Sequence, residues 1–134
     1  MPHQVVHGDY GIGNLLMHRS RVVGLVDLEF LAVHERVFDL AYISFWMMQR
    51  VEAGVPYVDR SWSCVREMIA KYDSASAAPL TDEEWRVLPV EMARVPLHWV
   101  GEASYLPNAT EAVARCAEQI ALASWIVKHA GAIV

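Results

Sequence analysis

The sequence predicts an α+β fold that is mainly α, a short β-hairpin followed by about four helices. Three observations point there. Residues 5–30 hold short apolar, partly β-branched runs separated by a glycine-rich loop and a polar turn. From about Phe38 onward the apolar residues recur at spacings of three and four. The run Thr81-Asp82-Glu83-Glu84 then has the form of a capping box opening a new helix late in the chain.

Taken in order, Val5-Val6, Leu15-Leu16-Met17 and residues 22–26 read as strands, with His18 to Arg21 as the polar turn. The first helix carries Leu40, Ala41, Ser44, Phe45, Met48 and Val51 on one face, with Asp39 placed to cap it and Gly54 to end it. Residues 58–72 form a second, with Trp62, Val65, Met68 and Ile69, and the small residues of 73–79 form a loop. The third starts at the capping box and repeats Trp85, Leu88, Met92, Val95 and Trp99, while Pro89 and Pro96 are expected to kink or split it. Residues 111–129 make the fourth, with Val113, Cys116, Ile120, Leu122, Ile126 and Val127 near one face.

Composition narrows the function classes. At 134 residues the chain suits a single domain with a core of its own. A formal charge of -5 and the lack of any Lys/Arg cluster argue against nucleic acid or an anionic membrane as partner. Although 54% of residues are hydrophobic, the apolar runs fall well short of the roughly 20 residues a bilayer requires. The N-terminal MPHQVVHGD has neither a basic nor an apolar signal region, so a cytoplasmic location is expected. Cys64 and Cys116 lie far apart without CxxC spacing, as reduced thiols do.

The stretch VVHGDYGIGNLL, residues 5–16, holds the chemistry. A phosphate cradle needs glycines running from a strand into a helix, or a loop ending in Gly-Lys-Ser/Thr; here Gly8, Gly11 and Gly13 have another order and lead into an apolar strand. A zinc site from His3 and His7 would need a helix, whereas in a strand these positions lie roughly 13 Å apart. A hairpin turning at His18–Arg21 puts Met17 opposite Val22 and Asn14 opposite Leu25, diagonal to Asp27 at roughly 7–8 Å. An amide oxygen and a carboxylate are hard ligands, suited to Mg²⁺ that keeps waters and takes substrate phosphates. Asp9 is then left to face a nucleophile.

Asp followed five positions later by Asn, then a short hairpin ending in a metal-binding Asp, is the layout of a protein-kinase catalytic site. With His-Gly before the Asp, HGDYGIGNLL resembles the catalytic loop of the aminoglycoside phosphotransferase and choline kinase superfamily of small-molecule kinases. VVGLVDLEF is similar to its metal-binding strand, with Leu28 where an aromatic often stands, and RVFDLA to its following aspartate at the head of a helix. These matches cover residues 3–41; the later helices fit the helical lobe only in general character.

The resemblance implies a kinase-like C-terminal lobe in which Asp9 orients the substrate hydroxyl or accepts its proton. It implies that Asn14 and Asp27 hold Mg²⁺ against the phosphates of ATP, that His7 buttresses the loop, and that Asp39 ties the next helix to it. Glu29 fits a second metal role or an exposed strand-end carboxylate equally well, and Asp39 an ordinary helix cap. The family's nucleotide lobe, with its glycine-rich turn and phosphate-pairing Lys, has no counterpart after Met1, so the isolated chain is expected to be inactive.

Two functions follow from this. One is a phosphotransferase acting on a small hydroxylated molecule, present as a fragment, a truncated product or half of a split enzyme; the other is a non-catalytic binding module keeping a vestigial site. An aminoglycoside would want acidic walls from Asp82, Glu83, Glu84, Glu91 and Glu102; choline would want an aromatic cage from Trp85, Trp99 and Tyr105. Sugar alcohols are equally open. Apolar helix faces left by the missing lobe predict a homodimer or higher oligomer, with its seam on the third or fourth helix near Trp85, Trp99 or Trp125.

Overall fold

The computed structural model describes the whole chain apart from the side chain of Ser104. Four short strands, β1 (His3–Val6), β2 (Leu15–His18), β3 (Arg21–Leu25) and β4 (Ala32–Glu35), precede the helices α1 (Val37–Val51), α2 (Ser63–Ala75), α3 (Asp82–Glu102), α4 (Ala109–Lys128) and the single turn α5 (Ala130–Ile133). The strands form two antiparallel pairs, β1 with β4 and β2 with β3. The architecture is thus the mainly α, α+β arrangement that the sequence predicts, with β4 and α5 added.

The β2–β3 turn is tight. Arg19 and Ser20 both take positive φ, 47° and 63°, as the centre of a two-residue hairpin loop requires. Met17 pairs with Val22 as expected, but a bulge between Leu16 and Met17 shifts the rest, so that Leu16 faces Gly24 and Leu15 faces Leu25. Asn14 therefore lies opposite Val26, whose N–H donates to the Asn14 carbonyl at 3.0 Å, and not opposite Leu25. The expected register is corrected by one residue because β3 carries one more residue than β2 across the bulge.

β4 was not anticipated. It pairs Val33 with Val5 and Ala32 with Val6, closing residues 7–31 into one excursion from a two-stranded ribbon. The glycine-rich loop and the hairpin both belong to that excursion.

Helix α1 buries the face its spacing defines except at Val51, which lies at the helix end and is 62% exposed. Its buried residues are Val37, Leu40, Ala41, Ser44, Phe45 and Met48, and the Ser44 hydroxyl is satisfied by the Leu40 carbonyl at 2.6 Å. They pack with Val65 and Ile69 of α2, Leu88 and Met92 of α3, and Leu122 and Ile126 of α4 in one core, in which α3 touches both α1 and α4. α2 starts at Ser63, later than expected, because Trp62 takes a left-handed conformation (φ 57°) to bury its ring, stacked on Trp125 at 5.3 Å. Thr81 and Glu84 form the capping box of α3. Pro89 and Pro96 do not split that helix: seven residues apart, they lie on one side of it, and both are buried. On α4 only Leu122 and Ile126 of the expected apolar face are buried, with Val113, Ile120 and Val127 exposed at 70%, 51% and 49%.

Arg36 fixes the strands to the helices. Its guanidinium donates to Glu84 through Nε (2.5 Å) and a terminal nitrogen (2.7 Å), and to the carbonyls of Ala78 and Pro79. Both side chains are buried, and the forked, fully bonded geometry is the kind that offsets the cost of desolvating two charges. The same Glu84 carboxylate accepts from the Thr81 N–H at 2.8 Å, so one acid both caps α3 and anchors the end of β4.

Candidate functional site

The loop after β1 is held from beneath by Asp39. This residue is not the N-cap of α1, which begins at Val37; it sits in the first turn. Its Oδ2 accepts the His7 N–H at 2.7 Å and its Oδ1 the Gly8 N–H at 3.0 Å. Two successive backbone donors on one carboxylate are charge-assisted bonds, which pin the loop to the head of α1.

Gly8 permits the turn that follows. Its φ is +85°, and a Cβ there would stand 2.4 Å from the Phe30 carbonyl oxygen and 2.7 Å from the Phe30 Cβ. Both facts require glycine, and together they bring the residues after Asp27 against the loop.

His7, buried at 3% exposure, bridges the two segments. Its Nδ1 accepts the Asp9 N–H at 3.3 Å and its Nε2 lies 2.8 Å from the Val26 carbonyl. A carbonyl cannot donate, so this pattern fits the neutral ring with its proton on Nε2. The imidazole thereby links the backbone of Asp9 to the residue just before Asp27.

Asp9 is gripped on both oxygens. Asn14 donates through Nδ2 to the Asp9 Oδ2 at 3.0 Å and to the Asp9 carbonyl at 2.9 Å, and the Tyr42 hydroxyl donates a short bond to Oδ1. Burial first, and then the bond to Asp9, push the Tyr42 phenol up to about 12, so it remains a donor across the neutral range. The sequence reading missed Tyr42. A signal was available, since Tyr42 lies three residues after Asp39 and so on the same face of α1.

Asp27 and Glu29 depart from the expected strand. Asp27 is exposed in a left-handed conformation, φ 64° and ψ 59°, and Glu29 lies in the 3₁₀ turn Leu28–Phe30 that follows. Strand alternation therefore does not set the relation between them, and Glu29 is an exposed carboxylate of a turn, not of a strand end. Asn14 reaches the same region through its carbonyl bond to Val26. With Nδ2 committed to Asp9, the Asn14 Oδ1 is the ligand atom its amide has to offer. One amide oxygen and one exposed carboxylate suit a hard divalent ion that keeps most of its waters. Among the described residues there is no cluster of three or more His, Cys, Asp or Glu that would hold a metal by itself.

A cavity of about 540 Å³ opens beside this loop, lined by Gly8, Asp9 and Tyr42 on one side and by Phe30, Phe38 and Val95 among others. Of the predicted site residues, Asp9 is the one that lines it. The acids expected to form a wall are dispersed: Glu84 is buried with Arg36, Glu83 faces the N-terminal ammonium at 3.4 Å, and Glu91 alone of the set lines the cavity. The expected aromatic cage is also divided. Trp99 and Tyr105 line a separate hollow of about 220 Å³ with Glu102 and Arg115, whereas Trp85 packs against the core. Both cysteines are free thiols, and no helix among the described residues is long and apolar enough to cross a membrane.

The model of the phosphotransferase enzyme family (APH) matches residues 1–80, from β1 through α2 to the approach to α3. A protein of Arabidopsis thaliana named probable acyl-CoA dehydrogenase IBR3 is 28% identical over 93 residues, covering 61% of this chain. The chain spans 11% of that protein's length. No solved structure matches the chain.

Proposed function

Because the chain belongs to the phosphotransferase enzyme family, we propose that it supplies the acceptor side of an ATP- and Mg²⁺-dependent transfer to the hydroxyl of a small molecule. The observation that carries this reading is the Asp9 carboxylate, fixed on both oxygens by Tyr42 and Asn14 at the wall of a ligand-sized cavity.

Each Asp9 oxygen retains a second lone pair, so the carboxylate can still accept a hydrogen bond from an alcohol in the cavity. As the alcohol oxygen bonds to the γ-phosphorus, its proton passes to Asp9, and the bond to the β-phosphate oxygen breaks with its electrons leaving on ADP. Tyr42 and Asn14 hold the carboxylate in one orientation through that step, which is where positioning lowers the barrier. Asn14 Oδ1 and the Asp27 carboxylate are the groups that would hold Mg²⁺, which supplies charge neutralisation on the phosphate oxygens. Glu29, in the turn beyond Asp27, is the candidate for its waters. His7 and Asp39 touch no reacting atom in this scheme; they set the loop's position.

Titration calorimetry tests the assignment. Mg²⁺ binds weakly to the chain and not at all to Asp27→Ala, while Asp39→Asn keeps it. Equal binding by Asp27→Ala would overturn the metal assignment and favour a non-catalytic module with a vestigial site.

A further inference from the structure

We infer that the alcohol accepted beside Asp9 has an apolar carbon body and a single reacting hydroxyl, in preference to a polycation or a polyol. The inference rests on the phosphotransferase reading for its hydroxyl and on the cavity walls for everything else. At about 540 Å³ the cavity has the size of a small-molecule site. Its walls are largely hydrocarbon: Val6, Phe30, Phe38, Val95 and Leu97 face it from β1, the turn after Asp27, α1 and α3.

The polar groups among those walls already have partners on the protein. Glu91 pairs with Arg94 at 2.5 Å, and the Arg94 guanidinium lies over the Phe38 ring at 4.9 Å. His34 faces Glu35 at 2.5 Å, and His98 faces Glu102 at 3.5 Å. Asp9 is held by Asn14 and Tyr42. A polyammonium ligand would find two carboxylates in the lining, Asp9 held by Asn14 and Tyr42 and Glu91 paired with Arg94, and would lay its other charges on phenyl and aliphatic surface, where desolvation is uncompensated. A quaternary ammonium would want the Phe38 face that Arg94 covers. A polyol would strand most of its hydroxyls for the same reason. An aliphatic or aromatic body removes its own surface from water against these walls and leaves one hydroxyl for Asp9.

Ligand-observed NMR and calorimetry without nucleotide test this with 4-phenylbutan-1-ol, sorbitol and kanamycin. Two variants at exposed positions probe the walls: Ala32→Trp, which fills the cavity from β4, and Leu97→Asp, which charges its rim. The expected result is that 4-phenylbutan-1-ol binds at least tenfold more tightly than sorbitol or kanamycin. Each variant should weaken it by about tenfold or more with circular dichroism unchanged. Tighter binding of sorbitol or kanamycin, no binding of the alcohol, or binding unaffected by both variants overturns the inference. Since no nucleotide is present, a chain that binds the apolar alcohol but never takes part in phosphoryl transfer refutes the transferase reading alone.

Discussion

Replacing Asp39 with alanine removes both acceptors beneath the catalytic loop. The His7 N–H loses its 2.7 Å bond and the Gly8 N–H its 3.0 Å bond, and His7 is buried, so water cannot fully replace the lost partner. Hydrogen bonds to a charged acceptor contribute about 1.5–3 kcal/mol each. The loss of a negative charge in the first turn of α1 adds up to about 1 kcal/mol. The expected destabilisation is therefore about 3–7 kcal/mol, a large share of the 5–15 kcal/mol that typically holds a domain. Asp39→Asn keeps one acceptor and turns an amide donor toward the other N–H, and costs about half as much. Urea denaturation followed by tryptophan fluorescence measures the global effect, and amide hydrogen exchange at His7 and Gly8 separates it from local loosening. A loss below about 1 kcal/mol for Asp39→Ala, with those two amides still protected, would refute the clamp.

Glu84 is held down to about 2, from an ordinary 4.5, by the Arg36 guanidinium above all. A depressed carboxylate contributes stability above its unfolded value and loses it as pH falls toward the folded one. Glu84→Gln should therefore cost about 3–5 kcal/mol at neutral pH and flatten the acid limb between pH 4.5 and 2, read by thermal melts across pH. For Tyr42 the sign is opposite. Its raised value means that stability present below pH 10 is lost as pH climbs to about 12, and Tyr42→Phe should remove the last phenol in an ultraviolet absorbance titration. Trp85, Trp99 and Trp125, expected at the seam of a self-associated form, are partly buried, whereas the row Val113, Ile120 and Val127 on α4 is exposed and is the seam now proposed. Light scattering over a dilution series should show a dimer or larger species that Ile120→Glu shifts toward monomer; an unchanged mass would place the seam elsewhere.

What could be read from the chain beforehand was what local spacing controls. The buried face of α1 and the Thr81–Glu84 cap are consequences of residues three and four apart, and both are present in the fold. The parts that escaped reading depend on residues distant in sequence or on backbone irregularity. β4 is short, mixes Ala32 and Val33 with His34 and Glu35, and exists because β1 lies beside it across a long excursion. The bulge at Leu16/Met17 leaves Val23 unpaired beside Gly24 and moves Asn14 by one position relative to Asp27; the lone Gly24 inside an apolar strand was the signal available for it. Asp27 itself leaves the strand in a left-handed conformation that a residue pattern alone does not disclose. Glu84 looked like a surface acid at the head of a helix, and only the approach of Arg36 makes it a buried partner. The candidates Asp9, Asn14 and Asp27 stood out because they are ordered along a short segment; Tyr42 did not, because its bond to Asp9 comes from the way α1 docks on the loop.

The convergence of Asn14 and Asp27 on one divalent ion is the claim on which the phosphotransferase reading depends. Titrating Mn²⁺, which takes the same hard oxygen ligands as Mg²⁺, into ¹⁵N-labelled protein measures it by paramagnetic broadening. The account predicts that the Asn14 side-chain amide and the Asp27 backbone amide broaden first and together, with Asp9 next, and that Asp27→Ala abolishes the effect. Broadening centred on the Glu91 or Glu102 region of α3, or unchanged at Asn14 in Asp27→Ala, would contradict it.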